Sequence, residues 1–329
     1  MGREERKLRK HYDERAKRER KLARKHSQTE QAEETGVGIE ATVVGIGPGC
    51  CEVLENDRRF LCRTTLDVAV GDAIVYSPER QKILRVLPRR TVLSRPDPHN
   101  PRIERVIAAN IDVVVVVVSL KSPPLRPGLI DRYFIAIERS GAAGILCVNK
   151  TDLIDDEAGM PTELDPYREL GMQVFFCSAV TGAGIEQLAA ELAGKTCVFT
   201  GHSGVGKSSL LNAMSPGLQL DTGDVSEIHN KGRHTTTTAT RHMLPGGAIV
   251  IDTPGIREFG LWQITPATLR DYFPEMRDLG QLCKYRDCSH TEEPGCGVKE
   301  AVGSDRMRAA RYSAYLRLLN ALRANPTIY

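Results

Sequence analysis

In "GHSGVGKS" (201–208) a lysine and a serine stand directly behind three spaced glycines, a combination that holds phosphate. Gly201, Gly204 and Gly206 let the chain turn backbone N–H groups inward at a helix start, where the helix dipole favours anions. His202, Ser203 and Val205 are the intervening residues of that cradle. Lys207 has the reach for β- and γ-phosphates. The Ser208 hydroxyl is a ligand for Mg²⁺, and Ser209 follows it into the helix. "TCVFT" before the loop reads as a strand and "KSSLLNAMS" after it as a helix, the context that such a loop requires.

Three further motifs name the nucleotide. "IDTPG" (251–255) ends an apolar strand, so Asp252 is placed to hold magnesium through water and the Gly255 N–H to sense a γ-phosphate. "NKTD" (149–152) supplies Asp152, whose two acceptor oxygens match the N1–H and 2-amino donors of guanine; adenine lacks that donor pair. Asn149, Lys150 and Thr151 complete the loop, bracing it and packing on the base. Ser178 and Ala179 of "CSAV" (177–180) suit the loop that offers a backbone N–H to guanine O6. Between 221 and 240 lies a segment rich in Gly, Asn and Thr, in which Thr235 or Thr236 is expected to complete the Mg²⁺ shell. Ile256 follows the DTPG motif where many GTPases carry a water-orienting glutamine, and an isoleucine cannot polarise water. Slow unaided hydrolysis follows, with His234 either the catalytic imidazole or a solvated loop histidine.

A second chemistry sits near the C-terminus. "CKYRDCSHTEEPGC" spaces Cys283, Cys288, His290 and Cys296 as C-x4-C-x-H-x5-C. Three thiolates and an imidazole close a tetrahedral Zn²⁺ shell with no position left for water, which points to one structural zinc.

The elements that must position these residues are legible in the hydrophobic pattern. From 102 to 262, "IDVVVVVVSL", "GILCVNKTDL", "QVFFCSAV", "TCVFTGHSG" and "GAIVIDTPG" read as strands, with helical "LIDRYFIAIERSG" and "GIEQLAAELAG" between them. Such alternation predicts a mostly parallel α/β sheet covered by helices. The motif order is rotated relative to an ordinary GTPase, since NKTD and Ser-Ala precede the phosphate loop. Joining old termini that lie close together and opening a new gap preserves such a sheet, so a circularly permuted domain is expected. Residues 37–93 show short alternating runs with regular turns, which predicts a small β-barrel, of OB type or SH3-like. "SRPDPHNP" (94–101) reads as a linker, and 263–329 as a mainly helical zinc-binding domain. The last helix carries Arg306, Arg308, Arg311, Arg317 and Arg323, available for RNA phosphate or forming a solvated face.

Composition sets the outer limits. The chain has 329 residues, 41% hydrophobic and 26% charged, with a formal net charge of +3. Its longest apolar run, Val113 to Val118, is far short of the roughly 20 residues needed to span a bilayer, and the first residues lack a secretory core. A cytoplasmic location without membrane contact is expected. Residues 3–25 hold twelve Lys or Arg against five Asp or Glu. The tail 1–36 is therefore expected to be a mostly disordered cationic arm, suited to a polyanion partner or else merely solvated. Cys50, Cys51, Cys62, Cys147, Cys177 and Cys197 lie in or beside apolar runs and read as small buried hydrophobes.

Taken together, NKTD, GHSGVGKSSL, GRHTTT, DTPGIREFG and the Cys/His cluster resemble the RsgA (YjeQ/EngC) family of circularly permuted GTPases, from residue 38 to about 324. The resemblance implies an OB-fold barrel that contacts 16S rRNA, one bound zinc, and a weak GTPase stimulated by the 30S ribosomal subunit late in its maturation. It further implies GTP-dependent binding to that subunit, GTP/GDP cycling that helps release assembly factors, action as a monomer, and His234 as catalyst. Two other functions remain open on the residues alone: a non-catalytic GTP-binding RNA scaffold, and a GTPase with a non-ribosomal partner.

Overall fold

The computed structural model describes residues 38–47, 49–97, 100, 103–154, 161–218, 220, 240–252 and 264–324. The first unit is a barrel of β1 (Ile39–Gly47), β2 (Cys50–Glu55), β3 (Arg58–Arg63), β4 (Ala73–Ser77) and β5 (Lys82–Val86). The order β1-β2-β3-β5-β4 closes where β4 pairs β1, and the β3–β5 contact is parallel. That is the OB arrangement. Alternation fills the interior with Val43, Cys51, Val53, Cys62, Ile74, Tyr76 and Ile83.

The segment expected as a linker differs from that reading. Ser94, Arg95 and Pro96 belong to β6 (Val92–Pro96), which pairs antiparallel with β7 (Glu104–Ala109). A two-stranded ribbon tolerates proline at a strand end, where the missing N–H breaks no interior ladder. The Ser94 hydroxyl donates to Glu104 at 2.6 Å and accepts from Arg139 Nη1 at 3.0 Å, which ties the hairpin to the next domain.

That domain comprises β8 (Val113–Ser119), α1 (Pro127–Ser140), β9 (Ala143–Asn149), α2 (Asp165–Glu169), β10 (Gln173–Phe176), α3 (Ile185–Leu192), β11 (Thr196–Thr200), α4 (Lys207–Met214), β12 (Thr240–Met243) and β13 (Ile249–Asp252). Its strands run β10-β9-β8-β11-β13-β12, parallel except for the antiparallel β12. Every residue of β8 is buried, as expected of a strand covered on both faces. Val114, Val116 and Val118 pack toward Ile130 and Tyr133 of α1. Val113, Val115 and Val117 pack toward Leu188 and Leu192 of α3 and Leu210 of α4. Cys51, Cys62, Cys147, Cys177 and Cys197 are buried, and Cys50 is half-buried.

Barrel and nucleotide domain are continuous. Gly45 of β1 pairs with Thr240 of β12, so eleven strands form one sheet. The junction is reinforced where the Ala109 N–H donates to Val70 O (2.9 Å) and Asn110 Nδ2 to Gly71 O (2.9 Å). Gly71 adopts φ 92°, and a Cβ there would lie 2.1 Å from Ala109 O, so the close approach requires glycine.

The C-terminal unit contains α5 (Pro274–Gly280), α6 (Gly297–Gly303) and α7 (Ala309–Ala324) around Phe273, Met276, Val298, Tyr315, Leu319 and Leu322. Neither reading of the α7 arginines describes Arg311, which is only 4% exposed in its side chain. Its Nη1 donates to Asp131 of α1 at 2.6 Å and its Nε to Glu275 at 2.7 Å, while the guanidinium lies over the Phe273 ring. Arg308 pairs with Glu169 of α2. The helix thus docks its domain on the nucleotide domain. Among the described residues no helix is long and apolar enough to cross a membrane.

Candidate nucleotide site and metal cluster

Strands β8, β9, β10 and β11 all end at one edge of the parallel sheet, where open α/β folds place their ligands. Gly201 leaves β11 with φ 144°, and a Cβ on it would lie 2.1 Å from Val117 O. The loop then passes Gly204 and reaches Gly206 (φ 91°), the residue before α4. Lys207 opens that helix, and its Nζ donates to Gly201 O at 2.8 Å and His202 O at 3.0 Å, so the ammonium lies across the loop's own concavity. Ser208 and Ser209 occupy the same first turn.

The NKTD motif reaches this loop directly. Asn149 is buried at the end of β9; its Nδ2 donates to Val205 O at 2.8 Å, and its Oδ1 accepts from the Ala179 N–H at 3.3 Å. One amide therefore joins NKTD, the phosphate loop and the Ser-Ala loop. Gly206 is required here as well, because a Cβ would fall 2.4 Å from Asn149 Nδ2. Lys150 takes the left-handed conformation (φ 64°), and its Nζ donates to Ser122 O at 2.5 Å. Thr151 donates from N–H and hydroxyl to Cys177 O, at 3.2 and 3.1 Å. Asp152 is exposed, with Oδ1 accepting from the buried Ser178 hydroxyl, which itself accepts from the N–H groups of Val180 (3.2 Å) and Thr181 (3.1 Å). A carboxylate aimed by a serine at the rim of a phosphate loop can select a base carrying adjacent donors.

Ser122 and Pro123 were not singled out in the sequence. They lie on the β8–α1 connection, where Pro123 O accepts from Ser119 Oγ at 2.7 Å and the proline ring flanks Gly204. The available signal was "KSPP" directly after the most buried strand. Asp252 ends β13, opposite Thr240 in register. His234, Thr235, Thr236, Gly255 and Ile256 lie outside the described residues.

Cys283, Cys288, His290 and Cys296 bring their ligand atoms within 4.8 Å of one another. His290 Nδ1 is 3.5 Å from Sγ of both Cys283 and Cys296, and those two sulfurs are 4.0 Å apart. Metal bonds of about 2.3 Å to sulfur and about 2.0 Å to nitrogen, arranged tetrahedrally, require separations of about 3.5–3.8 Å. The donor set fits such an ion and could hold a metal. The knuckle around it is fixed independently. Burial opposes ionisation of Glu293, but bonds from Ser289 Oγ (2.7 Å), Ser289 N–H (2.6 Å) and Thr291 N–H (2.9 Å) hold its carboxyl down to about 2. Tyr312 and Tyr315 of α7 donate to His290 O (2.7 Å) and Ser289 O (2.9 Å), joining knuckle to helix.

Comparison with known proteins places this geometry. The family model described as RsgA GTPase matches residues 86–262. The chain belongs to the RsgA GTPase family. It is a GTP hydrolase with an OB-like barrel, a circularly permuted nucleotide domain and a C-terminal Cys/His module. The chain is 38% identical over 277 residues to the small ribosomal subunit biogenesis GTPase RsgA of Mannheimia succiniciproducens, covering 82% of this chain and 78% of that one. The protein of the same name from Chlorobaculum parvum is 42% identical over 266 residues, covering 78% and 85%. Among solved structures, YjeQ from Thermotoga maritima matches with a TM-score of 0.68 at 32% identity, over 87% of this chain and 99% of that one. YloQ, described as a circularly permuted GTPase, gives 0.68 at 27% identity, over 88% and 96%.

Proposed function

We propose that this RsgA-family GTPase acts in the cytoplasm, as a monomer, in late maturation of the 30S ribosomal subunit. It binds the subunit and its 16S rRNA in the GTP state, hydrolyses GTP slowly alone and faster when bound, and helps assembly factors to leave. The observation that carries the reading is Asn149, whose side chain bonds both the phosphate loop and the Ser-Ala loop. The names of the relatives support the ribosomal assignment.

In this mechanism Asp152, aimed by Ser178, accepts from guanine N1–H and the 2-amino group, and the Ala179 N–H donates to O6. Asn149 and Thr151 hold the loop, and the Lys150 stem packs on the base. The backbone of residues 201–206 and the Lys207 ammonium take the β- and γ-phosphates. Ser208 and Thr235 or Thr236, with Asp252 through a water, would hold Mg²⁺, which would supply positive charge against the phosphates. The Gly255 N–H reports the γ-phosphate, and His234 orients the attacking water in place of the glutamine that Ile256 replaces. Cys283, Cys288, His290 and Cys296 hold one structural Zn²⁺.

Sedimentation with purified small ribosomal subunits tests this, comparing a non-hydrolysable GTP analogue with GDP at several salt concentrations. Stronger pelleting with the analogue, weakening steeply with salt, is expected. Equal pelleting in both nucleotide states contradicts the proposal.

A further inference from the structure

The side chain of Lys150 ends away from its own loop. It leaves the chain just after β9 and passes the phosphate loop, where a Cβ on Gly206 would lie 3.8 Å from Lys150 Cε. Its Nζ then donates to Ser122 O at 2.5 Å, on the β8–α1 connection and 28 positions earlier in the chain. A lysine stem loses much rotamer freedom when it is ordered. An acceptor already in place therefore lowers the cost of laying that stem along a ligand.

That acceptor is itself held from several sides. Ser119, buried at the end of β8 opposite Asn149, donates from Oγ to Pro123 O at 2.7 Å. Leu120 and Leu125, which flank the turn, pack on the core beneath α1. Pro123 and Leu125 line one cleft with His202 and Val205 of the phosphate loop. Ser122 has φ 53°, a left-handed conformation that non-glycine residues adopt uncommonly and β-branched residues avoid. The residue is exposed, so what this position gives to Lys150 is the direction of its carbonyl.

We propose that the β8–α1 connection is a positioning element for the nucleotide: the Ser122 carbonyl, fixed by the Ser119–Pro123 bond, orders the Lys150 stem along the guanine face before the nucleotide arrives. The inference rests on the base recognition proposed above and adds the residues that place the lysine. Ser119 and Ser122 act through Lys150, as positioning residues.

The test measures GDP and ADP affinity, and KM and kcat for GTP, on the full chain without ribosomal subunits. The variants are Ser122→Val, Ser122→Gly, Lys150→Met, and Ser122→Val combined with Lys150→Met. Valine disfavours the left-handed conformation and turns the carbonyl aside, whereas glycine keeps it. Ser122→Val is expected to bind GDP about fivefold more weakly. KM for GTP rises by the same factor with kcat within about twofold, because packing on the base is equal in ground and transition states. Lys150→Met keeps a stem but loses the tether, so it is weakened too, and adding Ser122→Val to it costs nothing more. Ser122→Gly retains GDP affinity within about twofold of the parent chain. Should Ser122→Val fold poorly, the same cycle with Ser119→Ala, which frees the connection from its other end, decides the matter. Parent-like GDP affinity in Ser122→Val, an equal loss in Ser122→Gly, or fully additive losses in the double variant overturn the inference alone. A parent chain that binds ADP as tightly as GDP overturns the base recognition and the inference with it.

Discussion

Asn149 shows how much one side chain can settle. Its amide is at once donor to the 201–208 loop and acceptor from the Ser-Ala loop, so the two loops proposed to read phosphate and base are joined in one buried contact. Asp152→Asn replaces one acceptor oxygen by a donor facing the guanine donors. Losing a hydrogen bond to a charged group costs about 1.5–3 kcal/mol, so GTP affinity is expected to fall about tenfold to a hundredfold. Xanthosine triphosphate, with an acceptor at C2, is expected to bind the variant better than GTP does, as read by competition against a fluorescent guanine nucleotide. Gly206→Ala places a methyl 2.4 Å from Asn149 Nδ2 at a left-handed residue. About tenfold weaker GTP binding with unchanged circular dichroism is expected, since such backbone strain costs roughly 1–3 kcal/mol. At this scale the sequence was highly legible: side-chain types at tight spacing carry the chemistry. What it hid was support from elsewhere, such as the Ser122 carbonyl under Lys150, because that contact crosses 28 residues.

Elements were legible where period and length agreed, as in the buried β8 and the alternating barrel strands. They were not legible where composition suggested a different role. Prolines at 96, 98 and 101 read as a linker, yet β6 runs through Pro96 because its partner is β7 alone. Five arginines from Arg306 to Arg323 read as an RNA or solvent face of one helix, yet Arg306 and Arg308 precede α7 and Arg311 is buried between Asp131 and Glu275. Removing one member of such a pair strands the other. Arg311→Met is expected to destabilise the fold by about 3–5 kcal/mol at pH 7, measured by urea unfolding. Burial pushes the Asp131 carboxyl up and Arg311 opposes that, so in the variant it rises further. The folded variant then binds a proton that the unfolded chain does not, and its deficit narrows as pH falls from 7 toward 5. The metal cluster belongs to this scale too. Zinc analysis of the purified chain is expected to find one ion. Chelation is expected to speed amide exchange across 281–296 while leaving GTP affinity within about twofold.

For the whole molecule, the rotated motif order is the feature with the widest consequence. In space the strands form a mostly parallel sheet, with NKTD and Ser-Ala at the ends of β9 and β10 although they precede β11 in the chain. The permutation was readable because each motif carries its own identity independent of order. The seam between domains was not, since a single bridge from Gly45 to Thr240 leaves no periodicity in either segment. As a result the nucleotide domain is held on two sides: the barrel continues its sheet through β12, and the C-terminal module is anchored on α1 through Arg311 and Asp131. The central claim is that this permuted chain assembles one GTP site whose turnover depends on the particle that it binds. Steady-state GTP hydrolysis with and without purified small ribosomal subunits tests it most directly. Slow release of phosphate by the chain alone, rising at least about tenfold with subunits, is the expected result. A rate unchanged by subunits at saturating concentration would contradict it.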